Sequence, residues 1–264
     1  PADFADKLVQ GQTSPIQVIT DGRNTVISSL VYNYVATIAA SYNQDIHLGK
    51  HLLTVDSITW YNPNQITRWN FLPSLLPMIS LIQVMLLSGL SVAREREQGT
   101  FDQLMVTPLT STEILAGKAV PPLVIGLMQS CIVLVFAVFW FHVHVIGNLI
   151  TLFIVMFIFL LSCVGLGLAI SANSKNMQQV MVYNFVVLVP IILLSGLATP
   201  VRNMPQVLQY FTYINPMRFA IDAVRRVYIE GASLAAVSPD LLPMVVITLV
   251  TMPFAAWMFR NKLG

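Results

Sequence analysis

Five long apolar runs in the chain contain no Asp, Glu, Lys or Arg. They cover residues 71–92, 119–141, 149–171, 179–197 and 241–259. The hydrocarbon core of a bilayer is about 30 Å thick, and a helix needs about 20 residues to cross it. Since one charged side chain at the centre of such a helix costs about 2.5–3.5 kcal/mol, the absence of charge predicts five transmembrane helices.

The overall composition agrees with a membrane location. Hydrophobic residues make up 56% of the chain and charged residues 10%, and the mean hydropathy is +0.72. This is too little polar surface for a soluble globule. A net charge of +2 and the absence of a basic block argue against nucleic acid as a partner. The lack of ionisable groups within the apolar runs also argues against an ion-coupled carrier.

Residues 1–69 are more polar and predict a separate domain. Ile16 to Thr20 alternates like a strand and stops at Asp21-Gly22, a turn signal, after which Thr25 to Tyr42 is typical of a helix. We interpret 1–69 as the C-terminal part of a small extracytoplasmic α/β domain, and 70–264 as the transmembrane domain. No signal peptide precedes this polar segment, so we expect an additional transmembrane helix upstream of Pro1.

The basic residues suggest an orientation. Placing the segment 94–118 in the cytoplasm gives that side six basic residues close to helix ends: Arg94, Arg96, Lys118, Lys175, Arg260 and Lys262. The opposite side keeps Arg202, Arg218, Arg225 and Arg226 within one longer loop. The positive-inside rule mildly favours this arrangement, which places the C-terminus in the cytoplasm.

The segment 94–118 is dense in charges of both signs. Thr107 and Pro108 are expected to stop one helix, and Thr110 to Glu113 has the pattern of a capping box that starts another. We therefore expect two short helices folded back at the membrane surface. The alternative is a solvated turn whose arginines snorkel and hold the helix ends.

The segment 199–240 predicts a pair of amphipathic helices separated by Asn215 and Pro216. Apolar residues recur at helical spacing on both sides of this break: Val207, Leu208 and Phe211 before it, and Ala220, Val224 and Val227 after it. Two interpretations stay open for this outer hairpin. It lies on the surface without a transport role, or it dips back into the outer leaflet, as the family resemblance described below implies.

Few other residues suggest chemistry. His142 and His144 are too few to make a metal site, and no nucleophile or paired carboxylate stands where a buried active site could form. Gly49-Lys50 and Gly117-Lys118 lack the other residues of a phosphate-binding loop. Gly165 and Gly167 are interpreted as sites of close helix packing, and Gln83, Gln129 and Asn184 either contact substrate or bond between helices.

A resemblance narrows these alternatives. The run Ser91 to Thr100, followed by Leu104, Thr107-Pro108-Leu109, Glu113 and Gly117-Lys118, resembles the signature of ABC-2 type permeases. Within that family it is similar to the bacterial multidrug-efflux branch of YbhR type. The likeness extends to residues 21–24, 60–64, 194–196, 204–205 and 214–216, and so covers essentially the whole chain.

The resemblance implies six transmembrane helices per subunit, of which the five runs are the second to sixth. It also implies a pair of permease subunits, identical or merely similar, above an ATPase dimer that holds ATP and Mg²⁺; a periplasmic adaptor remains open. The residues implied in coupling to the ATPase are Arg94, Glu95, Arg96, Glu97, Gln98, Gly99, Thr100, Leu104, Pro108, Glu113 and Lys118. Those implied in the outer gate are Pro205, Phe211, Asn215, Pro216 and Arg218.

We therefore expect the permease subunit of an exporter in the bacterial inner membrane. Its uncharged spans suit a hydrophobic or amphipathic cargo, drug-like by resemblance, although a lipid satisfies the same physics. The chain is expected to have no catalytic, metal or cofactor site of its own. The alternative is a membrane scaffold or sensor with an extracytoplasmic ligand-binding domain. A passive channel fits less well, because no run offers a polar stripe or charged ring.

Overall fold

A computed structural model describes residues 17–20, 25–45, 55, 67–100, 110–197 and 201–261. The chain divides into two units, Pro1–Ile66 and Thr67–Gly264. In the first unit, helix α1 spans Thr25–Asp45, which confirms the predicted helix. Residues 17–20 form no strand, so the predicted strand is wrong over these four positions. Val18 and Ile19 are both exposed, so neither face of this stretch is buried as a half-buried strand would require.

The second unit consists of helices joined by loops, and its described residues include no strand. Its α-helices are α2 Thr67–Glu97, α3 Ser111–Phe139, α4 Leu149–Asn173, α5 Met177–Leu193, α6 Gln206–Thr212, α7 Pro216–Glu230 and α8 Leu234–Asn261. A single 3₁₀ turn, Val201–Asn203, precedes α6. The prediction of a mainly helical, polytopic protein is therefore confirmed.

Four of these helices are long and apolar enough to cross a membrane: Phe71–Glu97, Glu113–Phe139, Leu149–Asn173 and Leu234–Met258. The fifth predicted run, 179–197, falls on α5, an apolar helix of only 17 residues. α5 ends early because Gly196 adopts a positive φ of 85° and Ser195 Oγ accepts a hydrogen bond from Leu197 N. At 1.5 Å per residue its length is about 26 Å, slightly less than the hydrocarbon core.

Helix α4 lies at the centre of the unit, where it contacts α2, α3, α5, α7 and α8. Leu152, Met156, Phe159 and Leu160 on α4 are almost wholly buried. These large side chains form the centre of the apolar core. α3 instead exposes a row of apolar residues that includes Val124, Met128 and Ile132, as a helix facing lipid does.

Two glycines let α4 approach its neighbours closely. A Cβ on Gly165 would lie 2.5 Å from Thr251 Oγ1 of α8, and one on Gly167 would overlap Ser88 Oγ of α2. Beside them, Ser162 Oγ and Thr248 Oγ1 share a hydrogen bond of 2.6 Å between α4 and α8. The predicted packing role of both glycines is confirmed, and it follows the small-residue logic of membrane helices.

The segment 199–240, called the outer segment after its predicted location, contains the two predicted helices, α6 and α7, separated at Asn215 and Pro216. They differ in burial. Val207, Leu208 and Phe211 of α6 are exposed, whereas Ala220, Val224 and Val227 of α7 are fully buried. α7 packs against α2, α4 and α8, so a surface-lying hairpin describes α6 and not α7.

We predict that Gly167→Ala lowers the unfolding temperature of the purified protein by about 2–10 °C, since overpacking a close contact costs about 1–3 kcal/mol. Gly117→Ala is the matched control, because Gly117 is also helical but a Cβ there meets nothing within 4 Å. Alanine is the better helix former, so this control should leave the unfolding temperature unchanged or slightly higher. Equal effects of the two substitutions would contradict the close-packing role.

Candidate functional site

The charged segment after the first described span is the end of α2 itself. α2 continues through Arg94 to Glu97 and ends at Gly99, whose φ is +72°. Gly99 N donates to Arg96 O at 3.2 Å and Thr100 N donates to Glu95 O at 3.0 Å, which is the bonding pattern of a Schellman motif. The predicted separate short helix is therefore wrong over 94–97. Ala, Arg and Glu are strong helix formers, and nothing breaks the helix before Gly99.

Helix α3 begins with the capping box that the sequence predicts. Thr110 N donates to Glu113 Oε2 at 2.8 Å, and Glu113 N donates to Thr110 Oγ1 at 3.4 Å. The helix then runs without interruption to Phe139, so the second predicted short helix is the first turns of a long one. The remaining predicted coupling residues, Leu104 and Pro108, lie outside the described residues.

An ion pair joins α2 to α3 at this end of the unit. Lys118 Nζ of α3 donates to Glu95 Oε1 of α2, and both side chains are about four-fifths buried, with 21% and 22% exposure. Partial burial reduces the screening that makes fully exposed pairs weak. The pair therefore fixes the spacing between the two helix ends.

The next two residues of α2 bind the turn between α4 and α5. Arg96 Nη1 donates to Ala172 O at 3.1 Å and to Ser174 O at 3.0 Å, at the C-terminal end of α4. Glu97 Oε2 accepts from Met177 N at 3.0 Å, at the start of α5. A cation at a helix C-terminus and a carboxylate at a helix N-terminus both match the helix dipole. Arg96 and Glu97 also give hydrogen-bond partners to backbone groups at the ends of α4 and α5 that have no partner within their own helix.

Three successive residues, Glu95, Arg96 and Glu97, thus connect the end of α2 to α3, α4 and α5. Successive side chains on a helix point about 100° apart, so one helix end can contact neighbours on several sides. We name Glu95, Arg96, Glu97 and Lys118 the junction. Arg96 holds a helix end, as the snorkelling alternative expects, but the junction as a whole links four helices. A displacement of the α2 end would move all of them together.

Four predicted coupling residues point away from these contacts. Arg94, Gln98, Gly99 and Thr100 are exposed. Within the described part of the chain, the side chains of Arg94 and Gln98 have no hydrogen-bond partner. They are therefore free to meet another molecule.

The predicted outer-gate residues form the connection from α5 to α7. Pro205 precedes α6, Phe211 is 58% exposed on α6, and Pro216 is the first residue of α7. Asn215 Oδ1 caps α7 by accepting from Met217 N at 3.0 Å. Its Nδ2 donates to Ile191 O of α5 at 2.7 Å, so this amide ties the end of α5 to the start of α7.

Arg218 stabilises the turn between α6 and α7. Its Nη1 donates to Thr212 Oγ1, and its guanidinium lies 4.6 Å from the ring centroid of Tyr213 and 5.5 Å from that of Phe219. Cation–π contacts of this kind contribute about 0.5–2 kcal/mol. The structure thus brings Asn215, Pro216 and Arg218 together, whereas Phe211 remains exposed.

Further anchors of α7 were missed by sequence reasoning. Arg225 Nε donates to Ser74 Oγ of α2 at 2.8 Å, and Arg226 Nη1 donates to Asp240 Oδ2 of α8 at 2.8 Å. Burial lowers the pKa of Arg225, and the nearby Asp222 carboxylate partly offsets this effect. The available signal was the pair of adjacent arginines within an amphipathic helix. Ser74 lies 151 residues from Arg225, and Asp240 lies 14 residues from Arg226 in the next helix, so no pattern within one helix indicates either partner.

Tyr228 fixes the other side of α7. Its hydroxyl donates to Val143 O at 2.7 Å, and its backbone carbonyl accepts from Ile146 N at 3.0 Å. Burial raises the pKa of Tyr228 to about 12, so it stays a neutral donor at physiological pH. The loop between α3 and α4, which carries the exposed His142 and His144, is thereby held to α7.

Two amide side chains of the helical unit have buried polar atoms with no hydrogen bond to the residues that the structure describes. Asn184 of α5 is fully buried, and neither its Oδ1 nor its Nδ2 has a hydrogen bond; Gln129 Oε1 is likewise unsatisfied. Asn184 faces Gly89 of α2, where a Cβ would lie 2.6 Å from Asn184 Nδ2. A buried amide without a hydrogen bond raises the free energy of the folded state. The contact between α5 and α2 is therefore less stable than one in which the amide has a partner.

We predict that Arg96→Ala lowers stability by about 1–3 kcal/mol, since it leaves two carbonyls at the buried end of α4 without their donor. Lys175→Ala is the control, because Lys175 is an exposed cation in the same α4–α5 turn. Thermal unfolding in detergent should separate the two variants. If they unfold at the same temperature, Arg96 does not hold the helix end.

We also predict that Ser74→Ala destabilises the protein by about 1 kcal/mol, because the half-buried Arg225 loses its hydrogen-bond acceptor on α2. Ser238→Ala removes an exposed helical hydroxyl of α8 and serves as the control. Both substitutions raise helix propensity slightly, so their difference reports the Arg225 contact. Chemical or thermal unfolding measures it, and a difference near zero would refute the contact.

Comparison with known proteins identifies the family. The profile of the family described as ABC-2 family transporter protein matches residues 1–257. The chain is 44% identical over 265 residues to the probable multidrug ABC transporter permease YbhR of Escherichia coli K12, a match covering 99% of this chain and 72% of YbhR. It is 32% identical to YbhS of the same organism, described in the same words, over 88% of this chain and 63% of YbhS. With its apolar spanning helices, the chain is therefore a membrane permease of the ABC-2 transporter family.

Proposed function

We propose that this permease exports a hydrophobic or amphipathic compound, driven by ATP hydrolysis on a partner subunit. The junction is the observation that carries the proposal. Its contacts join α2, α3, α4 and α5 at one end of the helical unit. A partner that pushes on this end therefore moves several spanning helices as one body.

ATP chemistry is assigned to another chain. The sequence lacks a phosphate-binding loop, and the related YbhR and YbhS are described as permeases of ABC transporters. We propose that an ATPase dimer, which binds ATP and Mg²⁺, docks on the exposed residues around Gln98, Gly99 and Thr100. Leu104 and Pro108 belong to the same proposed surface. A second permease subunit, identical or similar, completes the transporter.

The proposed cargo follows from the spans. Their apolar, uncharged faces suit a compound that enters from the membrane, and the names of YbhR and YbhS point to drug-like molecules. The unpaired amide of Asn184 is a candidate contact, because a cargo that reaches it would relieve an unmet hydrogen bond.

We propose an inner-membrane orientation in which the junction is cytoplasmic. α5 then serves as a fifth, short span. The unit 1–66 is extracytoplasmic, and the C-terminus is cytoplasmic. Six basic residues near helix ends on the junction side favour this choice.

The outer segment is proposed to shape the exit of the pathway. Asn215 joins α5 to α7, and α7 is in turn fixed to α2 through Arg225 and to α8 through Arg226. Ser74 and Arg94 are twenty positions apart on α2, a distance of about 30 Å at 1.5 Å per residue. α2 therefore runs from the outer segment to the junction across about one bilayer thickness.

The test is ATP-driven transport of a fluorescent amphipathic dye in proteoliposomes that contain this protein and its ATPase. Glu95→Lys places two ammonium groups face to face, and we expect transport to fall by about fivefold or more, since a close ion pair is worth up to about 1 kcal/mol and like charges repel comparably. Combining it with Lys118→Glu restores the pair, and most of the transport should return.

The outcomes separate the alternatives. Full transport by the Glu95→Lys protein would show that the junction does not couple the partner to the spans. Loss without recovery in the double variant would place Glu95 on the ATPase surface itself. Wild-type protein that neither binds an ATPase nor moves any amphipathic dye would favour a membrane scaffold or sensor over an exporter.

A further inference from the structure

A cavity of about 500 Å³ lies between α2 and α3, next to the junction. Its wall is largely apolar and includes Leu87 of α2 and Ile114, Pro121, Pro122 and Ile125 of α3. Volumes of 300–1,000 Å³ are typical of small-molecule sites. The cavity is therefore large enough for a ligand and not merely for water.

The cavity extends from the charged border into the apolar part of the helices. From Arg94 to Leu87 there are seven residues, about 10 Å along α2. Leu87 and Ile125 both lie inside the uncharged runs that span the bilayer. A matching occupant has a polar end at the border and an apolar part that reaches hydrocarbon depth, as a membrane lipid does.

The charged groups at the border of the cavity differ in whether they have a partner within the protein. Lys118 is bound to Glu95, and Glu113 Oε2 accepts both hydrogen bonds from Thr110. Within the described ranges, the Arg94 guanidinium and Glu113 Oε1 have no partner. The cavity border thus offers one free positive group, on Arg94, and one free negative group, on Glu113. The third charge that lines the cavity, on Lys118, is balanced by its ion pair with Glu95, which is not part of the lining.

We propose that this cavity binds a zwitterionic aminophospholipid, phosphatidylethanolamine, from the adjacent leaflet. Arg94 binds the phosphate through charge-assisted hydrogen bonds, and Glu113 Oε1 accepts from the ammonium group. An acyl chain lies against Leu87, Pro121 and Ile125. The neutral border matches a zwitterion better than an anionic lipid, which would meet the Glu113 carboxylate without compensation. The bound lipid is distinct from the exported compound, so this inference does not depend on the cargo.

The experiment is native mass spectrometry of the purified protein, released from micelles that contain defined mixtures of two lipids. Phosphatidylethanolamine is compared with phosphatidylglycerol, which has a phosphate but no ammonium, and with phosphatidylcholine, whose quaternary nitrogen has no N–H to donate. We expect about fivefold preferential retention of phosphatidylethanolamine over either competitor, the scale of one partly exposed ionic contact.

Two variants assign the preference to the proposed groups. Arg94→Gln should lower retention of phosphatidylethanolamine about fivefold by removing the phosphate contact. Glu113→Gln should abolish the preference over phosphatidylglycerol and leave the fold intact, because glutamine also serves in a capping box. Lys175→Gln removes an exposed cation that does not line the cavity and should leave retention unchanged.

Equal retention of the three lipids by the wild-type protein would overturn the proposal. So would an unchanged preference in Glu113→Gln, or a loss in Lys175→Gln as large as in Arg94→Gln, since either result indicates lipid held by the general surface. If Arg94→Gln lowers the unfolding temperature, its lower lipid retention can result from a less stable protein. The proposal is then tested by the Glu113→Gln variant and by the comparison of the three lipids on the wild-type protein.

Discussion

A helix that ends inside a packed protein leaves backbone carbonyls or amides without hydrogen-bond partners. The rest of this fold depends on α2, whose side chains bind such groups at the end of α4 and at the start of α5. Arg96 donates to the last carbonyls of α4, and Glu97 accepts from the first amide of α5. The tight α4–α5 turn is therefore stabilised by a third helix. Because Glu95 binds Lys118 at the same level, α3 is held in the same arrangement.

The opposite end of the unit is stabilised in a different way. α7 buries one apolar face against α2, α4 and α8, and its polar groups are used individually: Arg225 on Ser74, Arg226 on Asp240 and Tyr228 on Val143. The contacts of Arg225 and Tyr228 join elements 151 and 85 residues apart, and that of Arg226 joins α7 to the next helix, α8. α2 takes part at both ends, since it contacts the α4–α5 turn through the junction and α7 through Ser74.

Between the two ends, the contacts of α2 with α4 and with α5 differ in character. Because Gly167 has no side chain, α4 lies directly against Ser88 of α2. Close-packed contacts of this kind are not easily compressed. At the α5 contact, Asn184 is buried against Gly89 with its amide unsatisfied. The α2–α5 contact therefore leaves a buried amide without a hydrogen bond, unlike the closely packed α2–α4 contact.

The sequence by itself determined the membrane class, the positions of the apolar helices, the capping box at Thr110 and the break at Asn215, because each depends on local hydropathy or on residues within one helical turn. The prediction placed a separate short helix at the membrane surface over Arg94 to Glu97, whereas these residues continue α2 because Ala, Arg and Glu are strong helix formers. Only the tertiary structure decided that Arg96 and Glu97 bind the α4–α5 turn and that Arg225 reaches Ser74. These partners lie 76 to 151 residues apart in the chain, and side chains at such separations meet only once the helices have packed.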